Sequence, residues 1–146
     1  MTQSEELNML FKQCNLLKED IHKHKHYTII KRSGIEKIQY FKKIQVRFEI
    51  IRSEPDFASV RAFGRLGEVK LETFASASPK TSTNAYYLEM AEKRALSRII
   101  LKLTKLSLYG NVIGEDEFSG DGKTFVNNKS KIAKTLEDKI SNQDES

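Results

Sequence analysis

Residues 46–77, VRFEIIRSEPDFASVRAFGRLGEVKLETFASA, decide the fold of this 146-residue chain. Apolar and polar side chains alternate along three runs in this stretch, at residues 46–53, 58–66 and 69–77. Alternation with a period of two is typical of β-strands. Because only Glu54-Pro55-Asp56 and Gly67 connect the runs, we expect two antiparallel hairpins. The stretch therefore predicts a β-meander of three strands, or four with a short strand before it.

The alternation gives the predicted sheet two different faces. The residues that share the apolar face are Val46, Phe48, Ile50, Val60, Ala62, Val69 and Leu71. The residues that share the other face are Arg47, Arg61, Phe63, Arg65, Lys70 and Phe74, together with Glu49, Glu68 and Glu72. Such a face suits phosphates and unstacked bases, and an ordinary solvated surface with cross-strand ion pairs is the alternative.

A long α-helix is predicted after the meander. The polar residues 76–84 are rich in helix-capping types, so we expect the helix to begin near Asn84 or Ala85 and to continue to about Leu108. Its apolar stripe consists of Leu88, Ala91, Ala95, Ile99, Leu103 and Leu106. Spacings of four, four and three align four cations on one ridge of the helix, Arg94, Arg98, Lys102 and Lys105. The sequence predicts an α+β fold in which this helix packs on the meander.

The N-terminal part of the chain predicts an amphipathic helix at residues 4–21. Its apolar side chains recur at spacings of three and four, and they are Leu7, Leu10, Phe11, Cys14, Leu17 and Ile21. Residues 22–26 alternate His and Lys and are predicted to form a solvated basic linker. A strand at 27–31, a break at 32–34 and a short helix through Ile35, Ile38 and Phe41 follow.

Composition and charge limit the domain organisation. The chain is long enough for one core, and we divide it into an N-terminal helix (1–21), an α+β core (22–118) and a polar, partly disordered tail (119–146) with a weak helix at 129–140. Residues 22–105 contain 18 Lys and Arg and 8 Asp and Glu, whereas the remainder contains 7 and 12. A basic middle attracts polyanions. Without an apolar run of membrane-spanning length or a secretion signal, we expect a cytoplasmic protein with no membrane partner.

The sequence offers little for catalysis. It has no nucleophile elbow and no phosphate-binding glycine loop, so we predict neither an enzyme nor a cofactor. Cys14 is interpreted as an apolar residue on a helix face. Two groups leave ion binding open, the alternating His22, His24 and His26 and the acidic turn formed by Glu115, Asp116 and Glu117. A metal-dependent nuclease would need further carboxylates converging on that turn.

Residues 75–98, ASASPKTSTNAYYLEMAEKRALSR, resemble a region of the phage single-strand annealing proteins. That group includes the essential recombination function (ERF) family and the eukaryotic RAD-fifty-two annealing protein. Its members have a β-meander and then a long helix with a pattern like Ala-x-x-(Lys/Arg)-Arg-Ala-Leu, a glycine turn and often acidic residues. The matching residues here are 91–96, 108–111 and 114–117. The resemblance covers about half of the chain.

This resemblance implies ATP-independent annealing of complementary single strands of DNA in phage-type recombination and repair, by an oligomeric ring or arc. By motif match, Lys93, Arg94 and Arg98 are DNA contacts. Our hypothesis from the residues themselves adds Arg47, Arg61, Arg65, Lys102 and Lys105 as phosphate contacts. The candidates for base stacking are Phe63, Phe74, Tyr86 and Tyr87. The alternative is a protein-interaction module, such as an inhibitor or assembly factor, without nucleic-acid activity.

Overall fold

The computed structural model describes residues 2–81 and 85–117. In these residues the helices are α1 (Gln3–Gln13), α2 (Arg32–Phe41) and α3 (Tyr87–Leu103). The strands are β1 (Ile21–His24), β2 (Tyr27–Ile30), β3 (Gln45–Glu54), β4 (Phe57–Leu66), β5 (Val69–Ala77) and β6 (Val112–Gly114). Short 3-10 helices are formed by Lys18–Asp20, Leu106–Leu108 and Glu115–Glu117. The predicted α+β class is confirmed, and the helix predicted at 129–140 lies outside the described residues.

Strands β3, β4 and β5 form the predicted antiparallel meander, in that spatial order. Each strand begins and ends within one residue of its predicted bounds. In register, Val46 lies beside Gly64 and Gly64 beside Leu71, so the predicted apolar residues share one face, which we call the inner face. Along β4, buried residues alternate with more exposed ones. This is the pattern of a central strand with one covered face.

Helix α3 packs on the inner face, mainly over β4 and β5. Small side chains on both elements let them approach closely, and the core of this contact includes Ala58, Ala62, Ala75, Ala91 and Ala95. A Cβ atom at Gly64 would lie only 2.5 Å from Ile99 Cγ1 and 2.7 Å from Leu103 Cδ1. A side chain at Gly64 would therefore push the helix away from the sheet.

A second sheet, which the sequence did not predict, has the order β1-β2-β6. Strands β1 and β2 form an antiparallel hairpin, and β6 pairs with β2 in parallel. The interpretation of residues 22–26 as a linker is therefore wrong, because His22, Lys23 and His24 pair with β2. Backbone pairing with the buried strand β2 holds this polar segment in extended form.

Several helix bounds also differ from the prediction. Helix α1 ends at Gln13 and does not reach Ile21, because Asn15 adopts a left-handed conformation with φ of 57°. Helix α2 begins at Arg32, where a break was expected. Helix α3 ends at Leu103 and not near Leu108, since Lys105 is also left-handed, with φ of 66°. None of the described helices is long and apolar enough to cross a membrane.

Asp20 joins the N-terminal segment to α2. Its carboxylate accepts hydrogen bonds from Leu17 N at 2.8 Å, from Ser33 Oγ at 2.6 Å and from Lys37 Nζ at 2.7 Å. Burial by itself would raise the pKa of this carboxyl, but the three hydrogen bonds outweigh it and lower the pKa from 3.8 to about 2. The ionised form of Asp20 is therefore the form that the fold prefers.

We expect Asp20→Asn to lower the free energy of unfolding by about 2 kcal/mol at pH 7, since each pKa unit corresponds to about 1.4 kcal/mol. The folded pKa lies below the unfolded one, so this contribution is present above about pH 4 and is lost as the pH falls through about 2. Urea unfolding at pH 7 and pH 3 measures this contribution. The difference in free energy of unfolding between the native protein and Asp20→Asn should be about half as large at pH 3 as at pH 7. The exposed neighbour substitution Glu19→Gln should show no such loss. A difference in free energy of unfolding that does not change with pH would contradict this role of Asp20.

Candidate nucleic-acid interface

The outer face of the β3-β4-β5 sheet, opposite to α3, carries arginine and phenylalanine side chains in cross-strand rows. Residues paired across strands place their side chains on one face, about 5 Å apart. The four rows are Gln45 with Arg65 and Lys70; Arg47 with Phe63 and Glu72; Glu49 with Arg61 and Phe74; and Arg52 with Ser59 and Ser76. The sheet thus brings together five of the predicted site residues, Arg47, Arg61, Arg65, Phe63 and Phe74.

Guanidinium groups lie over the phenylalanine rings of this face. The Arg47 guanidinium carbon is 4.2 Å from the centroid of the Phe63 ring. That of Arg61 is 5.6 Å from Phe63 and 4.9 Å from Phe74. At such distances the cation is attracted to the face of the ring. The rings therefore have a partner that is cationic and planar, and a nucleobase could take the place of that planar group.

The outer face is accessible. None of the residues in its four rows is buried, and Phe74 is 47% exposed. At the end of the sheet that holds Arg65 and Lys70, an open groove of about 700 Å³ is lined also by Arg47, Phe63 and Glu72. A polymer could lie along this surface without displacing any described element.

Carboxylates reduce the positive charge of the outer face, but unevenly. Glu49 lies 3.8 Å from Arg61, and Glu54 lies 2.6 Å from Arg52. Both pairs are exposed enough for solvent to screen them, so the arginines can exchange these partners for phosphate. Among the described residues, Glu72 forms no ion pair, and neither does Arg47, Arg65 or Lys70. The end of the face near Lys70 keeps its charges available.

The cations of α3 are placed differently from the prediction. Arg94 is 1% exposed, and it donates to the backbone oxygens of Ser76 at 2.8 Å and Asp116 at 3.2 Å and to that of Thr81. Arg98 donates to Phe74 O at 2.8 Å and pairs with Glu117. Arg94 is thus an internal structural residue, and the four cations do not form one solvent-facing ridge.

This arrangement has a geometric cause. One helical step of four residues rises about 6 Å, and two strand residues span about 6.8 Å. Two arginines four apart on α3 therefore match two carbonyls two apart on β5, those of Phe74 and Ser76. An unpaired strand edge needs such partners. Arg94 and Arg98 cap this edge of β5, which pairs with no other strand in the described part of the chain.

Burial affects the ionisation of this cluster. Desolvation lowers the pKa of the Arg94 guanidinium, while the charge of Glu117 acts in the opposite direction. Desolvation also raises the pKa of the Asp116 carboxyl, and the neighbouring charge of Glu115 adds to the rise. The acidic turn is packed against buried arginine and is not a solvated loop.

The remaining predicted contacts lie on or beside α3. Lys93, Lys102 and Lys105 are all exposed, and Lys102 also donates to Thr73 Oγ1 at 3.1 Å. Tyr86, immediately before the helix, is 69% exposed, and Tyr87 packs partly against the core. Because α3 covers the inner face, none of these residues belongs to the rows of the outer face.

The two groups that left ion binding open have other contacts. Glu115 accepts a hydrogen bond from the backbone of Arg32 at 2.6 Å and so caps α2. His22 and His24 lie in β1 with ring centroids 6.3 Å apart, and His26 contacts the Tyr27 ring at 4.4 Å. Within residues 2–81 and 85–117, no three His, Cys, Asp or Glu side chains are grouped to hold a metal ion.

Sequence reasoning missed two residues of this surface. Arg52 and Phe57 contact each other, with the guanidinium carbon 5.2 Å from the ring centroid. Phe57 lies at the two-residue spacing that leads to Arg61 and Phe63 along β4, so the alternation could have identified it. Arg52 could not be placed in this way, because the register shifts between Ile50 and Arg52.

Comparisons with protein-family models, with curated proteins and with solved structures found no match to this chain.

Proposed function

We propose that this protein binds single-stranded nucleic acid on the outer face of the β3-β4-β5 sheet. The observation that carries the proposal is the alternation of arginine and phenylalanine side chains in accessible cross-strand rows. Sheets that present aromatic side chains to solvent are a common platform on which unpaired bases stack. Phe63 and Phe74 would take bases, and the surrounding cations would take phosphates.

Base stacking and the packing of α3 both favour binding of single strands over binding of duplex. Stacking of a base on an aromatic ring is worth about 1 to 3 kcal/mol, and it needs a base that is not already stacked within a duplex. Duplex readout usually inserts a helix into the major groove, and here α3 is packed on the sheet with Arg94 buried. The phosphate contacts come from Arg47, Arg61 and Arg65, with Lys70 beside them.

We further propose that binding serves ATP-independent annealing of complementary DNA strands by an oligomer in recombination, in the cytoplasm. The support for this finer statement is the resemblance of residues 75–98 to the annealing proteins and the order of meander, long helix and glycine turn. Of the positions carried over from that resemblance, Lys93 is exposed and Arg98 is half-buried, but neither lies on the outer face, and Arg94 is buried. The proposed contacts are therefore those of the sheet. Annealing of labelled complementary oligonucleotides, without ATP, tests this statement.

Charge reversal on the outer face tests the binding site. We expect Arg65→Glu with Lys70→Glu to weaken binding of labelled oligothymidine at least about tenfold at low salt, because two phosphate contacts become repulsions. The slope of log K against log salt should decrease in magnitude by about 1.4, since each contact with a single strand contributes about 0.7. Fluorescence anisotropy at several salt concentrations measures both quantities.

The matched control is Lys93→Glu with Lys105→Glu, which makes the same change in charge on α3 and just after its end. If strands lie on the outer face, this control should retain most of the affinity. Loss of binding in the control but not in the sheet variant would move the site to the helix. No saturable binding of the native protein to any single strand would reject the proposed function itself.

A second candidate is a protein-interaction module. It is favoured by apolar side chains on β3, which pairs with β4 on one side and with no described strand on the other, and where Ile50 is 58% and Ile51 is 43% exposed. A second copy of the chain at this edge would also provide the proposed oligomer, because an unpaired edge strand is a template for pairing. Light scattering with and without oligonucleotide measures this self-association. It shows whether copies of the chain associate together with nucleic-acid binding or in place of it.

A further inference from the structure

The row formed by Arg47, Phe63 and Glu72 places a cation, an aromatic ring and a carboxylate in one line across the sheet. Phe63 is on the central strand, with Arg47 beside it on β3 and Glu72 beside it on β5. Strands lie about 4.8 Å apart, so the two charged residues flank the ring at a total separation of about 10 Å. Both charged residues are exposed, and all three line the open groove.

Glu72 is not explained by phosphate binding, because a carboxylate repels phosphate. The other two carboxylates of the outer face, Glu49 and Glu54, have arginine partners. Among the described residues Glu72 has no ion pair, although Lys70 is close to it along β5. A free carboxylate beside an aromatic ring is suited to accept hydrogen bonds from the N–H groups at the edge of a stacked base.

We infer that this row is a subsite for guanine, an inference that rests on the proposed function. Guanine has two adjacent donors, N1–H and the N2 amino group, which match the two oxygens of Glu72. On its other edge it has two adjacent acceptors, O6 and N7, which are the usual bidentate partners of arginine. Arg47 supplies the arginine, and the ring of Phe63 carries the base.

The other bases fit this row less well. Thymine has one N–H between two carbonyl oxygens, and those oxygens would face the carboxylate of Glu72. Cytosine and adenine each offer one amino group, but neither places a second donor beside it. Only guanine presents paired donors on one edge and paired acceptors on another, which Glu72 and Arg47 can reach from the two sides of the Phe63 ring.

Access to Phe63 requires Arg47 to move. Its guanidinium now lies 4.2 Å from the ring centroid, where a stacked base would be. An exposed cation–π contact is weaker than the stacking of a base on an aromatic ring, so guanine can replace the guanidinium. Arg47 then donates to the edge of the base that displaced it.

The experiment compares short labelled oligothymidines that carry one central guanine, inosine or thymine, so that no strand can form a guanine quadruplex. In fluorescence anisotropy the native protein should bind the guanine strand roughly tenfold more tightly than the all-thymine strand, the discrimination of one bidentate pair. Inosine lacks the N2 amino group and should give an intermediate Kd. Glu72→Ala should abolish the preference for guanine over inosine, which depends on the N2 amino group, and should leave the affinity for the all-thymine strand unchanged or higher.

Glu68→Ala is the matched control, because it removes the same charge from the exposed turn between β4 and β5, outside the rows. It should keep the guanine preference. Equal affinity of the native protein for all three strands, with binding intact, would overturn the guanine subsite and leave the proposed function standing. A preference for guanine over inosine that survives in Glu72→Ala would overturn it as well, and absence of binding to every strand would reject both.

Discussion

Arg94→Ala is expected to lower the free energy of unfolding by about 3 to 5 kcal/mol, the usual cost of removing one member of a buried charged network. The buried guanidinium donates to the backbone oxygens of Ser76, Thr81 and Asp116, and alanine would leave these acceptors without that donor. The free energy of unfolding of single domains is about 5 to 15 kcal/mol, so the variant should lose a large part of its stability. Urea unfolding followed by circular dichroism measures the change.

Two further variants make this prediction specific. Lys93→Ala changes an exposed neighbour on the same helix and should cost less than about 0.5 kcal/mol. Arg94→Lys keeps the charge but has one nitrogen in place of a planar fork, so it should be destabilised almost as strongly as the alanine variant. If Arg94→Ala unfolds like the native protein but binds oligothymidine more weakly, Arg94 is a nucleic-acid contact and not the cap of the β5 edge.

The sheet was predictable because its period is local information. In a strand, residues two apart must share a face, so the placement of Arg61 and Phe63 on the outer face followed from the sequence alone. The pairing that completes the rows followed from the short connections, which fix the register of hairpins. The part of the candidate site on the sheet could therefore be predicted from the sequence alone.

The cations of α3 were not predictable in the same way. A helical spacing of four shows that Arg94 and Arg98 lie on one side of the helix, but it does not show what that side faces. Here it faces the free edge of β5, whose carbonyls attract guanidinium groups. Whether a charged residue meets water or an unpaired strand edge depends on tertiary packing, which the periodicity of one helix does not contain.

The second sheet was missed for a different reason. Strand β6 has only three residues, and it pairs with β2, more than eighty positions earlier in the chain. Three residues are too few to show alternation, and a parallel pair of strands is not joined by a hairpin turn that could be recognised in the sequence. The polar strand β1 likewise depends on β2 for its extended form. Long-range pairing of short strands has no local signature.

Phe63→Ala with Phe74→Ala is expected to weaken binding of single-stranded oligonucleotides by about 3 kcal/mol, a roughly hundredfold higher Kd, because two stacking surfaces disappear. Both side chains point away from the core, so the variant should remain folded by circular dichroism. The slope of affinity against salt should stay close to that of the native protein, since no phosphate contact is removed. Anisotropy titrations at two salt concentrations give both quantities.

Tyr40→Ala with Phe41→Ala is the matched control, because these exposed rings on α2 contact each other at 5.2 Å and lie outside the sheet. This control should bind like the native protein. Equal losses in the two double variants would indicate a general effect of aromatic truncation. If the Phe63 and Phe74 variant instead keeps its affinity while the charge reversal at Arg65 and Lys70 loses it, the outer face binds phosphates alone, and bases do not stack there.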